Sequence, residues 1–121
     1  MATTYNRTIL IGRLGEKPEL KTIKKSGNDT EYTEFRMCNS TFNNGVEQIQ
    51  WHKILAFGKQ ARVITEHLNK GDLCCIEGRL DKKMYEKDGE KLYAIAVIAE
   101  RITLLASKRS EQPQEQAEQS E

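Results

Sequence analysis

Trp51-His52-Lys53-Ile54-Leu55-Ala56-Phe57-Gly58-Lys59-Gln60-Ala61-Arg62-Val63-Ile64-Thr65-Glu66-His67-Leu68-Asn69-Lys70-Gly71 is the stretch in which the apolar spacing changes from one structural period to another. Side chains alternate across a strand, so residues of one parity share a face. Over 51–57, Trp51, Lys53, Leu55 and Phe57 look one way, and His52, Ile54 and Ala56 the other. A buried lysine without a partner is costly, so the Lys53 side is expected outward and His52 inward. From Lys59 to Asn69 the apolar residues Ala61, Ile64 and Leu68 recur at spacings of three and four, and Gly71 stops the run. That pattern predicts a single amphipathic helix covering one side of a sheet.

Upstream, the strand carrying Trp51 begins near Glu47, after the Asn43-Asn44-Gly45 turn. Before that turn, Tyr32 to Phe42 alternates, with Phe35, Met37 and Asn39 on one side and Arg36, Cys38, Ser40 and Phe42 on the other. Lys24 to Asp29 reads as a loop by composition, preceded by a short extended piece through Leu20 and Ile23. Thr8 to Leu14 is β-branched and apolar on both faces, then meets Gly15 and Pro18, as a buried strand ended by a turn would. Downstream, Asp72–Tyr85 and Leu92–Leu105 form two further strands joined by Glu86-Lys87-Asp88-Gly89, whose Asp-Gly pair is a hairpin signal. Here Arg79, Lys83 and Tyr85 share a parity with Asp81, while Ile76 and Leu80 take the parity suited to the core. Five strands, with one short helix between the third and the fourth, is the all-β layout of the OB-fold barrel, a scaffold that commonly binds oligonucleotides.

With 121 residues the chain has room for one core. The expected division is a folded domain over 1–107 and a disordered tail over 108–121, whose Gln- and Glu-rich string has almost nothing apolar to bury. No run approaches the roughly 18 apolar residues of a membrane span, and the N-terminus lacks a signal-peptide layout, so no membrane partner is expected and the default location is cytoplasmic. The net charge of +1 hides an asymmetry. All 19 Lys and Arg lie at or before Arg109, whereas Glu111, Glu115, Glu118 and Glu121 follow it. A basic body with an acidic tail suits a nucleic-acid binder. Cys38, Cys74 and Cys75 are odd in number and lack CxxC spacing, so they are expected to pack as small hydrophobes in a reducing compartment.

The chemistry-bearing pattern is the interleaving of aromatics and cations on two strands: Trp51, Lys53 and Phe57, then Arg79, Lys83 and Tyr85. Bases stack on such rings at roughly 1–3 kcal/mol each, and phosphates follow a positive groove. Alternation alone leaves a second reading open, in which Trp51, Phe57 and Tyr85 fill the barrel core. Scattered lysines such as Lys17, Lys24 and Lys25 are expected at a solvated surface. Enzyme signatures are missing: His52 and His67 have no metal-ligand spacing, and Gly12-Arg13-Leu14-Gly15 is neither GxGxxG nor a P-loop. Neither catalysis nor a cofactor is expected.

Four blocks carry a resemblance over Asn6 to Leu105: Thr8-Ile9-Leu10-Ile11-Gly12-Arg13-Leu14-Gly15 with Pro18-Glu19; Trp51 to Lys59; Leu68-Asn69-Lys70-Gly71; and Ile76-Glu77-Gly78-Arg79-Leu80. In that order they resemble the bacterial single-stranded DNA-binding proteins of the SSB type. The resemblance implies an OB-fold, a homotetramer, a nucleoid-associated location, and protection of exposed strands during replication, recombination and repair. Its stacking positions fall on Trp51, Phe57 and Tyr85, with a further one at or next to Phe42; at Tyr85 and Phe42 many relatives carry Trp. The basic groove corresponds to Lys53, Lys59 and Lys83, with Arg79 and Arg13 as neighbours. Two departures stand out. The stretch from Asn43 to Gln50 is shorter than in many relatives, and Glu118-Gln119-Ser120-Glu121 does not close in the acidic Pro-Phe tip with which relatives recruit replication and repair proteins.

Overall fold

The structure, a computed structural model, describes residues 4–25 and 27–107. The tail expected over 108–121 lies outside the described residues. In chain order the elements are β1 (Thr8–Leu14), β2 (Lys21–Lys25), β3 (Asn28–Asn43), β4 (Val46–Phe57), α1 (Gly58–His67), β5 (Leu73–Lys87) and β6 (Glu90–Ala106). Five of the strands close a ring. β1 pairs with β5 along Thr8 to Arg13 and with β3 through Arg13↔Cys38 and Leu14↔Met37. β5 pairs with β6, β6 runs parallel to β4 at Ile54↔Val97, and β4 pairs with β3. The result is the OB-fold barrel, with β2 as an extra short strand hairpinned onto β3.

Local chemistry accounts for the hairpins. Asn44 (φ 53°) with Gly45 (φ 80°), and Asp88 (φ 53°) with Gly89 (φ 80°), are both left-handed pairs. Such two-residue turns match the right-handed twist of the strands they join. The loop expected over Lys24–Asp29 is tighter than its composition implied, since β2 runs to Lys25, β3 starts at Asn28, and these two residues face each other in the ladder.

The core gathers Leu14, Phe35, Met37, Ile54, Ile64 and Ile76, all almost fully buried, on the inward parity of their strands and on α1. α1 ends two residues earlier than its spacing predicts. Lys17 is exposed, as expected, and donates from Nζ to Thr65 O (3.3 Å), Leu68 O (3.3 Å) and Asn69 Oδ1 (3.2 Å). A cation there satisfies carbonyls left over at the helix end and complements its dipole. Cys74 is buried, and burial, with Asp72 and Cys75 alongside, pushes its thiol up to about 12; it packs as an unreactive hydrophobe.

Two expectations about burial need correction. Ile9 and Ile11 share β1's outward parity and are exposed, so β1 is buried on one face only. Leu80 has the inward parity of Ile76, yet it is 49% exposed. The cause is the shape of the β5–β6 pair: after a register shift at Glu77/Gly78 it runs on to Lys87↔Glu90, past the end of the barrel. Val97 opposite Leu80 is the last residue on this side to join the core; past it, Ile95, Tyr93 and Met84 stand exposed on the arm.

Candidate nucleic-acid interface

The β3–β4 ladder carries one continuous outward face. Its cross-strand pairs are Tyr32↔Phe57, Glu34↔Leu55, Arg36↔Lys53, Cys38↔Trp51, Ser40↔Ile49 and Phe42↔Glu47. Opposite residues in a ladder lie on the same side. Aromatic rings therefore occur at both ends and in the middle, with two cations facing each other between Trp51 and Phe57. Trp51 is 54% exposed, Phe57 41%, Phe42 70% and Tyr85 49%. The rings lie outside the barrel core, so the reading in which Trp51, Phe57 and Tyr85 fill it does not hold. His52 takes the inward parity, half-buried, with Nε2 3.2 Å from Asn39 Oδ1.

Trp51 is seated by its neighbours. Gly15 lies beneath the indole so closely that a Cβ there would come 2.5 Å from Cζ3. The Arg36 guanidinium carbon is 5.6 Å from the ring centroid, within the range of a cation–π contact. The indole is thus held in place while half of it remains open. Neither Gly15 nor Arg36 was singled out by sequence reasoning as a site residue. Arg36 had a signal, its shared parity with Cys38 and Phe42.

The remaining predicted residues are placed as follows. Arg13 stands in the same cross-strand row as Cys38 and Trp51, and its Nη1 donates to Gly71 O at 2.9 Å. Lys59 is exposed on the first turn of α1, two residues after Phe57. On β5, Arg79, Asp81, Lys83 and Tyr85 lie opposite Ile98, Ala96, Ala94 and Leu92. Ile98 in turn lies opposite Leu55, so this side of β5–β6 continues the outward face of β4. Arg79 is held by Glu100 (Nη1 to Oε2, 3.2 Å). Lys53 faces Glu34 at 3.9 Å and Arg36 faces Glu16 at 3.7 Å. Exposed pairs of this kind contribute about 0–1 kcal/mol, little enough for a phosphate to replace the carboxylate.

Because β4 and β6 are parallel, the Asn44-Gly45 and Asp88-Gly89 turns project from the same end of the barrel. The two hairpin arms splay apart there. Between their bases opens a cleft of about 250 Å³, lined by Trp51, His52, Lys53, Leu80, Ile95, Ala96 and Val97.

A closed OB barrel that turns rings and cations out along one sheet face, with two arms beside it, defines the class: a nucleic-acid-binding OB protein. The chain belongs to the single-strand binding protein family, whose model matches residues 5–105. It is 39% identical over 113 residues to the "Single-stranded DNA-binding protein 1" of Staphylococcus aureus strain Mu50, covering 91% of this chain and 71% of that protein. It is 35% identical over 106 residues to the same strain's "Single-stranded DNA-binding protein 2", with 85% and 74% covered. A third relative, the "Single-stranded DNA-binding protein 2" of Clostridium acetobutylicum, is 35% identical over 108 residues, with 83% and 76% covered.

Proposed function

We propose that this chain binds single-stranded DNA without sequence preference and without cleaving it, and so protects exposed strands during replication, recombination and repair. The observation that carries this reading is the outward face on which Trp51, Phe57 and Phe42 are exposed around Lys53 and Arg36. Every base has a π-face, so rings of this kind hold a strand whatever its sequence. Lys53, Lys59 and Lys83 receive the phosphates, with Arg79 and Arg13 beside them, and Tyr85 extends the stacking row onto the second arm. Family membership and the names of the relatives support the same reading. It implies a cytoplasmic, nucleoid-associated location. No helix among the described residues is long and apolar enough to cross a membrane.

The test is a titration of Trp51, the sole tryptophan, with oligo-dT. Stacking should quench its emission. Raising the salt should lower log K along a straight line against log salt, with a slope of about −0.7 per phosphate contacted. Absence of quenching at low salt, or a flat salt dependence, would remove DNA as the ligand and favour a surface for protein contacts.

The assembly proposed is a homotetramer. Its support here is apolar surface left open on the barrel: Ile9 and Ile11 exposed on β1, with Leu73 and Cys75 half-buried beside them on β5. Sedimentation equilibrium should show a species of four chains at micromolar concentration, and a monomer throughout would remove the assembly.

A further inference from the structure

The β5–β6 arm has a second face that the site above does not use. On the side opposite Tyr85, the ladder pairs are Leu80↔Val97, Lys82↔Ile95, Met84↔Tyr93 and Glu86↔Lys91. This is the parity that points into the core lower down, and the arm carries it out into solvent. Leu80, Met84, Tyr93 and Ile95 are each about half exposed or more. Lys82 Nζ stands 4.4 Å from the centroid of the Tyr93 ring, and Lys91 lies two residues along the same side.

From this arrangement we propose that the inner face of the arm is a second base-binding surface. Tyr93 stacks a nucleobase, Met84 and Ile95 flank it, and Lys82 and Lys91 take the adjoining phosphates. This rests on the single-strand reading of the outer face and extends it. Three features favour a nucleic-acid strand as the occupant. The central ring's π-face attracts a cation, Lys82; a stacking base takes the place of that ammonium, whose flexible stem lets it move aside to the strand's phosphates. The apolar residues are interleaved with lysines, whereas the core of a protein interface is depleted of charge. The surface also runs without a break into the cleft shared by Leu80, Ile95, Trp51 and Lys53, so a strand leaving Trp51 passes between the arms onto Tyr93. The arm then works as a finger gripped on both sides, by Tyr85 outside and Tyr93 inside.

The experiment uses the full chain and two lengths of oligo-dT, one of about 8 nucleotides and one of about 30, the short one within the site size of a single OB-fold. Tyr93→Ala should weaken binding of the long strand about 5- to 150-fold and leave the short strand and the quenching of Trp51 unchanged. Tyr93→Phe, which keeps a ring, should bind like the parent. A Trp51→Phe/Tyr93→Trp double variant moves the fluorophore to the inner face, where the long strand should quench it. Unchanged long-strand affinity in folded Tyr93→Ala would overturn the proposal. If Tyr93→Ala fails to fold, an unquenched fluorophore at position 93 would overturn it equally. A changed oligomeric state with unchanged DNA affinity would assign the face to contacts between copies instead. Loss of Trp51 quenching in the parent protein would sink the single-strand reading itself, a different failure.

Discussion

Gly78→Ala should cost the barrel about 3 kcal/mol or more, the largest single-atom-group effect expected on its stability. Gly78 is buried at the register shift where β5 leaves the barrel. A Cβ there would come 1.9 Å from Ile98 O, 2.9 Å from Ile98 C and 3.2 Å from Ala99 Cα. All three are backbone atoms of β6, so no side-chain rotation relieves the collision. Relief requires β6 to move away from β5, and Ile98 is also the residue that pairs with Leu55 of β4. Overpacking usually costs about 1–3 kcal/mol, when side chains can shift; where the obstacle is the backbone of β6 the upper end applies. A domain of this size holds only about 5–15 kcal/mol, and 1 kcal/mol corresponds to about 4–8 °C in Tm. A melt followed by circular dichroism should therefore fall by roughly 12–24 °C. A Tm within a few degrees of the parent's would mean that the bulge accommodates a methyl group, and that the close β5–β6 approach is not what turns the arm out of the barrel.

The same bulge marks the limit of what strand alternation reveals. Parity assigned Trp51, Lys53 and Phe57 to one side and Ile54 and Ala56 to the other, correctly, because an unpaired lysine and a core cannot share a face. The Asn44-Gly45 and Asp88-Gly89 turns were legible because few residues tolerate two successive left-handed conformations. Leu80 was misplaced for a different reason. Parity states which side a residue is on, and whether anything covers that side depends on where partner strands end. Ile9 and Ile11 repeat the lesson on β1, where the outward side is apolar yet open. The seating of Trp51 was out of reach altogether. Gly15, just after β1, and Arg36 on β3 reach the indole through the register Arg13↔Cys38↔Trp51, a long-range relation that no local pattern encodes. Lys17, scattered by composition, proved to hold the end of α1 across 51 residues of sequence.

Trp51→Ala should weaken single-strand binding about 5- to 150-fold, the loss of roughly 1–3 kcal/mol that one stacked base contributes, while leaving the fold intact. Trp51 is well placed to carry a large share. Its ring is central on the outward face, opens onto the cleft between the arms, and is seated on Gly15 with Arg36 alongside. A side chain already fixed in the unbound protein loses little freedom when a base arrives, so more of the stacking energy survives as affinity. The fold should tolerate the change, because the indole lies outside the core and its contact with Arg36 is an exposed one, worth about 0.5–1 kcal/mol. Since the variant lacks its fluorophore, Kd is read by anisotropy of labelled oligo-dT across a range of salt. Removing a ring and removing a charge then have different signatures. Trp51→Ala should shift the whole line of log K against log salt downward at constant slope, whereas Lys53→Ala should flatten the slope by about 0.7. Unaltered Kd in a folded Trp51→Ala protein would reduce the indole to a cover for Gly15. A flattened slope in that variant would mean instead that the ring acts by positioning Arg36 on a phosphate, so that the face is electrostatic in its effect and its aromatic residues serve the cations.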